Sequence, residues 1–175
     1  MKQTKQTLKI MFFSWDNFYS QAIQNVTKCK WSHVGIAIEN EDYYTVYEAL
    51  QKGLVKSNYT KEFINQCILD GRVTIKETKE KYEEDKIKSI CDKYLGVGYD
   101  FLAIFFILLH SISKLTIKYD NVRNVFCSEF VARASYDISN KKLNFEKELN
   151  KKYEYLSPAE LFKSTLLRFY KWKLK

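Results

Sequence analysis

Hydrophobic and polar positions change period several times along the chain, and each change marks an element. Residues 8–13 (LKIMFF) read as a strand, and residues 17–28 as a helix with Phe18, Ala22, Ile23 and Val26 along one side. Two strands follow, 33–39 (HVGIAIE) and 42–50 (DYYTVYEAL), joined by a turn at Asn40–Glu41. The pattern then predicts a short helix over 59–66 capped by Thr60, and another strand over 72–77 (RVTIKE). Residues 79–95 are heavily charged but carry Ile87, Ile90, Cys91 and Tyr94 at helical spacing, which predicts a surface helix. Further helices are expected over 101–113 and from Asn124 to about Tyr136. The run Ser157-Pro158-Ala159-Glu160 has an N-cap serine, a proline at the first helical position and a glutamate at the third, a strong helix start. Strands gathered ahead of several helices predict an α+β architecture. No linker or repeat interrupts the 175 residues, so the reading is a single domain over 1–175, with a core over about 8–163 and a basic, aromatic C-terminal tail over 164–175.

The hairpin makes the first chemical suggestion. If its strands pair about a centre between Asn40 and Glu41, opposed residue numbers sum to 81, and Glu48 faces His33 directly. Their Cβ atoms would then lie about 5 Å apart on one face of the sheet. Gly35, Ala37, Val46 and Tyr44 would share that face, while Val34, Ile36, Tyr47 and Thr45 would share the other. A carboxylate beside an imidazole fixes its tautomer and supports the imidazolium, the orienting task in a nucleophile–base–orienter triad. The same pair also fits an ordinary hydrogen-bonded histidine in a strand.

Composition sharpens this by scarcity. The chain has two histidines and four cysteines, so imidazole chemistry must use His33 or His110. Cys29, Cys67, Cys91 and Cys127 are widely spaced, with no C-x-x-C pair and no histidine at zinc-finger spacing, which argues against a structural metal; no cofactor is expected. Cys127 stands apart because Asn124 could cap its helix and leave the thiol in the first turn. There the helix dipole favours thiolate, and free backbone N–H groups could donate to an oxyanion. Cys127, Phe130, Val131 and Ala134 also form an i, i+3, i+4, i+7 stripe, which fits a buried structural cysteine equally well. Cys67 and Cys91 read as helix-core positions, and nothing nearby activates Cys29.

The N-terminus lacks the apolar stretch of a secretory signal, and the longest apolar run, Phe101–Leu109, is shorter than the roughly 20 residues that span a bilayer. The expected location is therefore cytoplasmic or virion-associated, without signal peptide or transmembrane helix, and with reduced thiols. The net charge of +8 fits contact with an anionic surface or lipid, but no nucleic-acid motif accompanies it.

Five segments in order carry a resemblance: W-S-H-V-G-I (31–36), V-Y-E-A (46–49), G-V-G-Y-D-F (96–101), F-C-S-E-F-V (126–131) and S-P-A-E-L (157–161). Together they resemble the permuted NlpC-type papain-like cysteine peptidase and amidase family, in its YiiX-like branch, where the histidine segment precedes the cysteine segment. The resemblance implies a circularly permuted papain-like fold, an antiparallel sheet packed on helices. It implies Cys127 as nucleophile, His33 as general base and Glu48 as orienter, with Tyr99, Asp100 and Ser128 lining the oxyanion or substrate site. The implied activity is cleavage of an amide in a peptide or peptidyl conjugate through an acyl-thioester. The layout also resembles lecithin:retinol acyltransferase-like lipid enzymes, although those usually carry N-C-E-H-F where this chain has F-C-S-E-F. A non-catalytic structural or binding module of a phage or viral particle is the third reading.

Overall fold

A computed structural model describes residues 4–99 and 124–171, with Tyr99 and Asn124 described by their backbone. Its centre is a six-stranded sheet in the order β4-β3-β2-β1-β5-β8, antiparallel at every pairing. The strands are β1 (Lys5–Phe13), β2 (His33–Glu39), β3 (Tyr43–Leu50), β4 (Gly53–Thr60), β5 (Val73–Glu83) and β8 (Leu167–Phe169). Two short strands, β6 (Gly98–Tyr99) and β7 (Asn124–Val125), pair in parallel beside it. The described helices are α1 (Phe18–Thr27), α2 (Lys61–Leu69), α3 (Glu84–Asp92), α4 (Cys127–Ile138), α5 (Phe145–Leu149) and α6 (Pro158–Lys163). The α+β expectation holds, with helices packed on an antiparallel sheet.

Strand alternation creates two cores. Val34, Ile36 and Ile38 of β2 join Tyr47 and Ala49 of β3 on one face, where α3, α4 and α6 cover them with Ile87, Phe130, Val131 and Leu161. Met11, Phe13, Ala37, Tyr44 and Val46 lie on the other face under Ile64 and Cys67 of α2. At about 25 cal/mol per Å² of apolar surface, burying such a side chain contributes roughly 1.5–3 kcal/mol, so the alternation firmly fixes which face each residue takes.

The hairpin register differs from the expected one. Gly35 rather than His33 lies opposite Glu48, and Ile36 lies opposite Tyr47, so paired numbers sum to 83. The cause is the turn: Asn40 N–H donates to the Tyr43 carbonyl at 2.9 Å, placing Glu41 and Asp42 at the tip. A change of two in that sum preserves the faces, so His33 and Glu48 stay on the same side, diagonally related.

Three element boundaries also move. Residues 53–60 form β4, and the helix expected from 59 starts only at Lys61; Thr60 caps it, accepting from Phe63 N–H at 3.2 Å. Residues 79–83 continue β5 because they pair with the start of β1, Lys5 opposite Glu83 and Thr7 opposite Lys81, and α3 begins only at Glu84. The segment expected as a tail contributes β8 at the sheet edge, with Leu167 opposite Thr78. The Ser157 capping box forms as expected, Ser157 N–H donating to Glu160 Oε2 at 2.7 Å. The helix expected over 101–113, the apolar run Phe101–Leu109 and His110 lie outside the described residues. Among the described residues, no helix is long and apolar enough to cross a membrane.

Candidate active site

Cys127 is the first residue of α4. Its helix begins differently from the expected way, because Asn124 is held in β7 opposite Gly98 and Phe126 occupies the N-cap without a side-chain bond. The first-turn N–H groups of α4 thus receive no cap from a side chain at Phe126, and the positive end of the helix dipole lies at the sulfur. The stripe Cys127, Phe130, Val131 and Ala134 is buried as well, with Cys127 4% exposed. The two readings of Cys127 are compatible: the stripe anchors the helix, and its first member sits where anions are favoured.

His33 opens β2 and is buried, its ring 5.5 Å from that of Phe13 on the adjacent strand. Its Nε2 lies 2.8 Å from Glu48 Oε2. Cys127 hydrogen-bonds the same ring. Burial alone would lower the imidazole pKa. Hydrogen bonding and charge from Cys127 and Glu48 outweigh it and push the value up to about 10.

Gly35 explains how diagonal strand positions reach each other. A Cβ there would meet the Tyr47 carbonyl oxygen and Val46 Cγ1 at 2.8 Å and Glu48 Cβ at 3.2 Å. The missing side chain leaves Glu48 room to lean across to His33. Glu48 itself is 1% exposed, which would raise its pKa; the bonds from His33, Ser57 and Tyr59 reverse that and hold it below the usual carboxylate range.

Tyr59 is the residue that sequence reasoning missed. Its hydroxyl donates to Glu48 Oε1 at 2.9 Å. Assigning Tyr59 to a helix hid it, although the turn at Gln51-Lys52-Gly53 and the alternation Val55, Ser57, Tyr59 against Lys56, Asn58, Thr60 mark a strand. Gly53 serves that turn at φ +102°, and a Cβ there would approach the Val97 carbonyl oxygen to 2.7 Å. Leu54 N–H donates to the same carbonyl at 2.8 Å, docking residues 96–98 against β4.

That docking sets the backbone of Tyr99 opposite Val125, two residues before Cys127. Asp100 and the Tyr99 side chain lie outside what the structure describes. Ser128 is buried and its hydroxyl donates to the Leu156 carbonyl at 2.7 Å, so its side chain ties α4 to the loop before α6. Cys67 and Cys91 are buried in the two cores, Cys29 is half-buried, and all four thiols are free.

A family model described as permuted papain-like amidase enzyme, YaeF/YiiX, C92 family, matches residues 9–165. Among solved structures, the crystal structure of metalloprotein YiiX from Escherichia coli O157:H7 is similar, with a TM-score of 0.63 and 18% identity over 97% of this chain and 98% of that one. No curated protein matches. The word metalloprotein describes that structure; among the described residues here, no group of three or more His, Cys, Asp or Glu side chains could hold a metal ion.

Proposed function

The chain belongs to the permuted papain-like amidase family, a family of cysteine peptidases and amidases, and from that premise we propose that it cleaves an amide in a peptide or peptidyl conjugate through an acyl-thioester on Cys127. The observation that carries this reading is His33, which hydrogen-bonds both Glu48, 2.8 Å away, and Cys127, the residue that opens α4. His33 takes the thiol proton, Cys127 Sγ attacks the acyl carbon, and the tetrahedral oxyanion is received by first-turn N–H groups of α4. Collapse expels the amine, which leaves with the proton from His33. Water, deprotonated by His33, then attacks the thioester and releases the acid and the free thiol. Glu48 keeps Nδ1 aimed at sulfur and balances the imidazolium. Tyr99, Asp100 and Ser128 complete the proposed site as oxyanion or substrate-lining residues.

The test is a panel of acyl donors: peptides, peptidoglycan stem peptides and phospholipids, each assayed with the protein and with Cys127→Ala. Cysteine-dependent release of an amine from a peptide donor is the expected result. Release of fatty acid from phospholipid, with no peptide cleaved, would overturn the amide assignment in favour of lipid acyl hydrolysis.

A further inference from the structure

The Glu48 carboxylate has more partners than its bond to His33 requires. Oε2 meets His33 Nε2 at 2.8 Å, and Oε1 accepts from the Tyr59 hydroxyl at 2.9 Å. Ser57, two residues before Tyr59 on β4, adds to the stabilisation of the anion. At 1% exposure the carboxylate has little access to solvent, so its charge and orientation depend on these protein groups.

Tyr59 is itself held in place. Its ring stacks on Phe63 of α2 at 5.8 Å and 16°, and lies 6.2 Å from Phe13, whose ring is 5.5 Å from that of His33. The side chains thus form a closed circuit: His33 to Glu48, Glu48 to Tyr59, Tyr59 to Phe13, and Phe13 back to His33. Both kinds of contact in the circuit converge on the imidazole, one polar through Glu48 and one apolar through Phe13.

We propose that Tyr59 is a positioning residue of the active site, acting through Glu48 to keep the carboxylate ionised and pointed at His33. The inference rests on the catalytic reading of Cys127, His33 and Glu48. Burial and the charge and hydrogen bond of Glu48 raise the Tyr59 phenol, outweighing a hydrogen bond from Ser57 that lowers it and exceeding a small rise from Cys67 of α2, so the hydroxyl remains a donor throughout the working range. The titratable groups gathered around Glu48 are His33 of β2, Tyr59 of β4 and, beyond His33, Cys127 of α4.

The experiment follows the rate of iodoacetamide alkylation at Cys127 against pH, by peptide mass spectrometry, in the full chain. Variants are Tyr59→Phe, Ser57→Ala, Glu48→Gln and the double variant Glu48→Gln/Tyr59→Phe. Removing one donor from a buried carboxylate raises its pKa. The acid limb of the Tyr59→Phe profile is therefore expected about one pH unit higher, with about tenfold slower alkylation inside the limb. Ser57→Ala shifts it the same way by less. In the Glu48→Gln background Tyr59→Phe should change nothing further, because the residue acts through the carboxylate. A Tyr59→Phe profile superimposable on the parent's, or an equal shift in the Glu48→Gln background, overturns the inference. If Cys127 of the parent protein reacts no faster than Cys29, the catalytic reading fails instead, so the two failures are distinguishable.

Discussion

Two buried cysteines on the same face of the sheet meet opposite surroundings. Cys91 sits in the last turn of α3, at the negative end of its helix and beside Asp92; Cys127 opens α4, at the positive end, beside His33. Both belong to one apolar core, and their exposures are 0% and 4%. Burial raises the Cys91 thiol strongly, and Asp92 adds to it. Cys127 instead has the positive end of its helix and the His33 imidazole beside it. Burial alone thus does not distinguish the two cysteines; the end of the helix and the neighbouring side chain do.

The largest break in that comparison comes from exchanging the two thiols for alanine. Cys127→Ala should lower amide hydrolysis by about 1000-fold or more, since it removes the covalent step. Cys91→Ala should leave turnover within about twofold and instead cost roughly 1–2 kcal/mol in urea unfolding, through a small cavity. Equal loss of activity in both would erase the distinction.

A smaller effect is expected at Gly35. An added methyl group would strike Val46, the Tyr47 carbonyl and Glu48. Gly35→Ala should cost about 1–3 kcal/mol of stability by overpacking and slow alkylation of Cys127 without altering that of Cys29.

The smallest effect is a pH dependence of stability. The His33 pKa is raised to about 10 in the folded protein, so its contribution is fully present below the unfolded value near 6.5 and is lost as pH rises through about 10. Glu48 is shifted down, so its contribution is present above the unfolded value near 4.5 and is lost as pH falls through the lower folded value. Thermal melts should therefore show a His33-dependent fall at the alkaline end, absent in His33→Ala. Since Cys127 helps raise the imidazole, Cys127→Ala should move that fall to lower pH, as followed by NMR of the imidazole.

The parts of the site that rest on strand period were legible in the sequence. Alternation in β2 and β3 placed His33 and Glu48 on one face, and this survived a register that was wrong by two in the pair sum, because the side-chain period is two. The exact pairing was not legible, since Asn40, Glu41 and Asp42 all suit a turn and local composition does not choose between them. Tyr59 was hidden where β4 runs directly into α2, two patterns overlapping without a break. The charged stretch 79–83 took the strand state from its distant partner, Lys5–Thr7 of β1, which helical spacing within 79–95 could not reveal. Asn124, a good cap by residue type, is instead held by β6, a partner 26 residues away.

On the proposed mechanism Cys127 alone among the four thiols is activated, and His33 activates it. The most direct measurement of this is the alkylation rate of all four cysteines by iodoacetamide at neutral pH, in the same sample, for the parent protein and His33→Ala. Cys127 is expected to react fastest despite its burial, ahead of the half-buried Cys29, and His33→Ala to slow Cys127 by about 100-fold while leaving the other three unchanged. Cys29 reacting as fast as Cys127, or a Cys127 rate indifferent to His33, would contradict it.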